Sequence, residues 1–148
     1  MRERVDALVR FFETLTMQSV AGLPQFYAEN CRFKDPFNDV RGQAELAAIF
    51  RHMFHQLNGP RFIVRERVVE PPRALLTWDF EFRFRRWRPR EMQTIHGATL
   101  LTFDVAGRVV EHRDYWDAAE ELYEKLPGIG ALLRLLKRQG RPSAPPVK

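Results

Sequence analysis

Cysteine occurs once in the 148 residues, as Cys31. That excludes an intrachain disulfide and a cysteine-ligated zinc, and it suits a reducing compartment. Serine is nearly as scarce. Ser19 and Ser143 lie outside any Gly-x-Ser-x-Gly elbow, which excludes the usual serine-hydrolase arrangement. No apolar run approaches the ~18 residues of a membrane span, and the charged opening Met1-Arg-Glu-Arg-Val-Asp6 does not read as a signal peptide. The expectation is a soluble cytoplasmic protein with no integral membrane association. Gly128-Ile-Gly130 follows no strand and lacks a third glycine, so it is helix punctuation and not a dinucleotide fingerprint. His52 and His55, three apart with no acid nearby, read as surface histidines ahead of metal ligands, and Cys31 reads as a small buried residue ahead of a nucleophile.

Basic residues are not scarce, but their surplus is local. The formal charge is +5, from 24 Lys and Arg against 19 Asp and Glu. All the acids lie at or before Glu124, and Lys125, Arg134, Lys137, Arg138, Arg141 and Lys148 follow. Residues 1–124 are therefore close to neutral, which argues against a nucleic-acid binder held by phosphate contacts. Arg83, Arg85, Arg86, Arg88 and Arg90 crowd one hairpin tip around Trp87. With lysine nearly absent and arginine used throughout, an exposed strand end is the preferred reading over an RNA contact.

What the chain has in quantity is aromatic side chains: 12 Phe, 3 Trp and 3 Tyr. Val5, Leu8, Val9 and Phe12 recur at helical spacing, predicting an N-terminal amphipathic helix. A short helix is expected over Leu23–Glu29, an extended piece over Cys31–Asp35 stopped by Pro36, and a helix over Gly42–Leu57 with Leu46, Ile49, Phe50 and Met53 on its apolar face. The period then changes to two. Arg61–Glu70, Arg73–Arg88, Glu91–Val105 and Arg108–Trp116 read as four strands of a meander. Trp78, Phe80, Phe82 and Phe84 alternate with Asp79, Glu81, Arg83 and Arg85, as in a half-buried antiparallel strand. Asp117 is placed to cap a C-terminal helix. The expected organisation is a domain over 1–127, a short basic amphipathic helix over 128–139 with Leu132, Leu133 and Leu136 on one stripe, and a disordered tail over 140–148. Helices segregated from a bent meander make an α+β fold, and a curled sheet with helices across its open side encloses a conical space that rings can line.

Two places carry candidate chemistry. Parity puts Phe33 and Asp35 on one side of the extended piece. A carboxylate beside rings loses hydration and becomes a general base near neutral pH, whereas an Asp before Pro36 equally suits a turn that uses its side chain on backbone N–H groups. Parity likewise puts His112, Asp114 and Trp116 on one face of the last strand. Imidazole and carboxylate two apart reach one bound molecule, or they form a solvent-facing salt-bridge ladder.

The stretches Phe26-Tyr-Ala-Glu-Asn-Cys-Arg-Phe-Lys-Asp-Pro36, Gly42-Gln-Ala-Glu-Leu46 and Gly107-Arg-Val-Val-Glu-His-Arg-Asp-Tyr-Trp-Asp117 resemble the nuclear transport factor 2-like superfamily, specifically its SnoaL-like members, over about Leu8 to Leu126. The resemblance implies a cone-shaped α+β barrel. It spans ketosteroid isomerase, limonene epoxide hydrolase, polyketide cyclases, dehydratases and non-catalytic binding modules, so fold is implied more firmly than reaction. Asp35 stands where the isomerase has its base, but Phe11 and Thr99 stand where it has its oxyanion Tyr and Asp. Asp114 resembles the catalytic Asp of the epoxide hydrolase and the cyclases. The hydrolase's remaining water-holding residues fall at Phe33, Asp35, Phe80 and Phe82, mostly phenyl rings. By this resemblance Asp35 is the leading base, Asp114 the second acid/base and His112 their polar partner. Phe11, Phe33, Phe50, Phe54, Trp78, Phe80, Thr99 and Trp116 then line a pocket for a small apolar carbonyl or polycyclic compound. Isomerisation or cyclisation there needs no metal or cofactor. The alternative is a non-catalytic binding or interaction module with a filled pocket. A homodimer through the outer sheet face, including His96 and Thr102, is implied in either case.

Overall fold

The computed structural model describes residues 1–86 and 88–123. Helix α1, Arg2–Glu13, buries Val5, Leu8, Val9 and Phe12 at the expected spacing. Phe12 points inward, and Phe11 sits at the flank against Phe26, ring centroids 4.8 Å apart. A reciprocal pair of bonds, Thr16 N–H to Ser19 Oγ at 2.8 Å and Ser19 N–H to Thr16 Oγ1 at 3.1 Å, opens a 3-10 helix over Ser19–Gln25. The helix expected to run to Glu29 does not extend that far. Strand β1, Tyr27–Lys34, begins at Tyr27, because Val109 N–H bonds the Phe26 carbonyl at 2.8 Å and draws the chain into a ladder. Tyr27, Cys31 and Phe33 are buried along it.

After the short strand β2, Asp39–Arg41, Gly42 at φ +105° turns the chain into helix α2, Gln43–Gln56. Leu46, Ala47 and Phe50 form its buried face. Strand β3, Leu57–Glu70, starts directly at Leu57 and not at Arg61. A register shift against β4 between Asn58 and Arg61 absorbs Gly59 and Pro60 within the ladder. Strands β4, Arg73–Phe84, β5, Gln93–Phe103, and β6, Val109–Tyr115, complete the expected meander, each slightly shorter than its periodic run.

The sheet order is β2-β1-β6-β5-β4-β3. It is mixed where a wholly antiparallel sheet was expected, since β1 runs parallel to β6. The six strands curve strongly without closing, with the helices on the concave side. Along β4, Ala74, Leu76, Trp78, Phe80 and Phe82 alternate inward and are buried, and together with Phe12, Phe33 and Phe50 they make the core a mass of rings. Burial of such side chains contributes roughly 1.5–3 kcal/mol each. On the convex face Asp79 is held by Arg65 at 2.6 Å and by His96 at 2.6 Å. The His96 bond first, then Arg65, keeps its carboxyl below the usual carboxylate range.

The compact body ends at Trp116. In the following segment Asp117 Oδ1 accepts from the N–H groups of Ala119 and Glu120, capping a four-residue helix α3, Ala118–Glu121. The basic helix and tail assigned to 128–139 and 140–148, and the position of Trp87, lie outside the described residues. Among those described, no helix is long and apolar enough to cross a membrane.

Candidate functional site

Three neighbouring strands set the site. Thr99 on β5 stands opposite Asp114 on β6, and Leu76 on β4 stands opposite Thr99. Period two therefore delivers His112, Asp114, Thr99, Leu76 and Trp78 to the same concave surface.

Their polar atoms form one continuous chain. Trp78 Nε1–H donates to Thr99 Oγ1 at 2.8 Å, and Thr99 Oγ1 lies 2.5 Å from Asp114 Oδ1. Indole nitrogen is donor only, so the threonine proton is directed to the carboxylate. His112 Nε2 lies 2.8 Å from the same Oδ1, and Tyr27 Oη lies 2.6 Å from His112 Nδ1. Burial first, with the Asp114 charge and Cys31 adding, pushes the Tyr27 phenol well above its ordinary 10. The Asp114 carboxylate only accepts, which assigns the proton of the neutral imidazole to Nε2 and leaves Nδ1 to accept from the Tyr27 hydroxyl. Every donor in the chain points towards Oδ1. Among the described residues, Oδ2 has no hydrogen-bond partner.

Aromatic rings fix the imidazole: Phe33 at 4.9 Å, Phe12 edge-on at 5.8 Å and Tyr27 stacked at 6.0 Å. Trp78 is fixed by an absence. It crosses directly over Gly97, its partner on β5, so closely that a β-carbon there would lie 2.3 Å from Cη2. Only glycine leaves the room that the indole uses.

Phe12, Phe50, Phe62, Val64, Leu76, Trp78, Thr99, His112 and Asp114 enclose a cavity of about 30 Å³. That holds a water molecule and is far below the ~300 Å³ of an ordinary small-molecule pocket. Of the expected site residues, Asp114, His112, Thr99, Trp78 and Phe50 line it. Phe33 backs the imidazole, and Phe80 stacks on the lining Phe62 at 4.5 Å. Phe11, Phe54 and Trp116 do not line it; Trp116 packs edge-on against Phe37 at 5.4 Å. Asp35 does not line it either. Its Oδ1 accepts from the N–H groups of Phe37 at 2.7 Å and Asn38 at 2.6 Å, and Asn38 Nδ2 bonds both its oxygens at 3.0 Å. Tyr27, Phe12, Phe62, Val64 and Leu76 are site residues that the sequence reading does not select. Among the described residues, no three His, Cys, Asp or Glu side chains converge as ligands of a metal ion would.

Because the folded chain holds Tyr27 as a phenol, the stability that this contributes is complete below pH ~10 and is lost as pH rises beyond it. The phenolate absorbance that distinguishes the chain from Tyr27→Phe is expected to stay absent until alkaline unfolding. Its appearance near pH 10 with the fold intact would contradict the buried assignment.

Residues 8–112 match the family model described as SnoaL-like domain. An NTF2-like protein of unknown function from Burkholderia pseudomallei superposes with a TM-score of 0.69 at 19% identity, covering 81% of this chain and 95% of that one. A candidate SnoaL-like polyketide cyclase from a Jannaschia species gives 0.68 at 17%, covering 80% and 88%. An LEH-like epoxide hydrolase from M. tuberculosis gives 0.65 at 14%, covering 91% and 90%. At these identities the likeness carries the fold. No curated protein matches the chain.

Proposed function

The chain belongs to the SnoaL-like family, and on that premise we propose that its cone binds a small apolar carbonyl or polycyclic compound and moves a proton on it, with Asp114 as the base. The observation that carries this reading is the asymmetry of the Asp114 carboxylate: among the described residues, two donors on Oδ1 and none on Oδ2, at the wall of an apolar cavity. A carboxylate so held has one oxygen to orient it and one to accept a proton. Oδ2 takes the proton from carbon, the electron pair passes into the substrate carbonyl, and the protonated acid returns the proton at another atom, which is isomerisation or the proton-transfer half of a cyclisation. Asp35 fits this role less well, because both its oxygens are engaged in the turn.

The donors lining the cavity, on Thr99, Trp78 and His112, are all committed within the relay. Among the described residues none remains there for an enolate oxygen. The substrate must spread that charge itself, which favours a C–H flanked by two carbonyls or set in a conjugated polycycle.

The small cavity volume favours a second reading, a non-catalytic module with a filled core that dimerises through the convex face around His96 and Thr102. A thermal-shift screen of cyclic diketones and polycyclic ketones, with light scattering on the same samples, separates the two. Binding in the cone predicts a raised Tm that Val64→Phe abolishes by filling the cavity. A dimer with no compound shifting Tm supports the second reading and overturns the first.

A further inference from the structure

A wider space lies where the arginine-rich hairpin meets the end of α2. His55, Gln56, Leu57, Phe84, Arg85 and Arg86 surround a depression of about 520 Å³, within the ~300–1,000 Å³ range of ligand sites. Its floor is apolar and its rim is cationic. Arg85 is fixed there, its Nη2 donating to the Phe54 carbonyl at 3.1 Å, and among the described residues neither Arg85 nor Arg86 forms an ion pair with a carboxylate. The nearest acids in sequence, Glu81 and Glu91, pair with Arg61 at 2.8 Å and with Arg88 at 3.2 Å. In a body of nearly zero net charge, this is a positive rim beside the half-buried side chains of Leu57 and Phe84.

A packed column of rings runs from the depression to the cavity wall. Phe84, at its floor, meets Phe82 at 5.1 Å, Phe82 meets Phe80 at 5.2 Å, and Phe80 stacks on Phe62 at the cavity wall. Phe84 lies eight residues along β4 from Leu76, the position level with Asp114. At ~3.3 Å per residue that is roughly 25 Å.

We propose that this depression is an anion-selecting binding site: Arg85 and Arg86 hold the terminal phosphate or carboxylate of an elongated apolar molecule whose body lies over Leu57 and Phe84. The guanidinium groups suit either oxyanion, because both accept paired, charge-assisted hydrogen bonds. The inference stands apart from what the cone binds and assigns the depression a ligand class of its own, amphiphiles with one anionic end.

The test is calorimetric titration of the full chain with dodecyl phosphate, dodecanoate and dodecanol, each below its micelle threshold, at low salt. Both anions are expected to bind about tenfold or more tightly than the alcohol. The preference should vanish in Arg85→Gln/Arg86→Gln and persist in Arg73→Gln/Arg108→Gln, which removes the same charge at the opposite end of β4 and β5. Inorganic phosphate competing with dodecyl phosphate supports a discrete anion site. Equal affinities, or a preference that survives the first double variant, overturn the proposal, as does association with anionic vesicles in place of the monomeric amphiphiles. The alcohol separates the apolar floor from the anion site: if it binds and no preference appears, the anion site is wrong, and if no amphiphile binds, the proposal falls while the cone reading is decided by the cyclic-ketone screen.

Discussion

Gly97→Ala is expected to destabilise the fold by about 2–3 kcal/mol, the upper part of the usual range for overpacking. The added carbon would lie 2.3, 2.5 and 2.8 Å from three atoms of the Trp78 six-membered ring. The indole is 7% exposed and enclosed on its other side by Phe62, edge-on at 5.7 Å. It has no room to retreat without leaving Thr99, whose hydroxyl then loses the donor that directs its proton to Asp114. Trp78→Phe should relieve part of the clash by shortening the ring, so the double variant should be less destabilised than the sum by about 1 kcal/mol or more. Urea unfolding of the four proteins measures it. A Gly97→Ala midpoint indistinguishable from wild type would mean that the indole is not seated as described.

This dependence shows why part of the site was legible in the chain and part was not. Period two along Thr77 to Phe84 and His112 to Trp116 needs only the sequence, and it assigned Trp78, His112 and Asp114 to the concave face. Thr99 entered through the resemblance, and the ladder places it directly opposite Asp114. Gly97 reads in sequence only as a weak point in a strand. Its use depends on a register with β4 that no local pattern specifies.

Tyr27 was lost for a related reason. Pro24 and the run to Glu29 read locally as a short helix, and strand identity comes from a parallel partner more than 80 positions away. The inward direction of Tyr27 is set across a register shift between Tyr27 and Arg32, with Glu29 exposed between, so the alternation of Cys31 and Phe33 does not reach it. Phe11 and Phe12 illustrate the finer limit. Both belong to the apolar stripe of α1, and which one reaches the cavity is fixed by the crossing of the helix over the sheet, where 100° of rotation separates neighbours. The resemblance ranks Asp35 as the leading base ahead of Asp114. The turn residues Phe37 and Asn38 occupy the first, and only the threonine and histidine on one oxygen distinguish the second.

The assignment of the base is tested most directly by proton exchange at carbon. In D₂O, incorporation of deuterium next to the carbonyl of cyclic diketones and polycyclic ketones reports proton abstraction whatever product follows. Asn at position 114 keeps the shape and an oxygen for Thr99 and His112 to address, so the fold is retained while the base is lost. The protein is expected to accelerate exchange for compounds that raise its Tm, and Asp114→Asn to remove about 10²–10⁴-fold of that rate. Asp35→Asn should leave the rate within about a factor of two, the effect of a surface turn. Undiminished exchange in Asp114→Asn, or exchange lost in Asp35→Asn alone, would contradict the account.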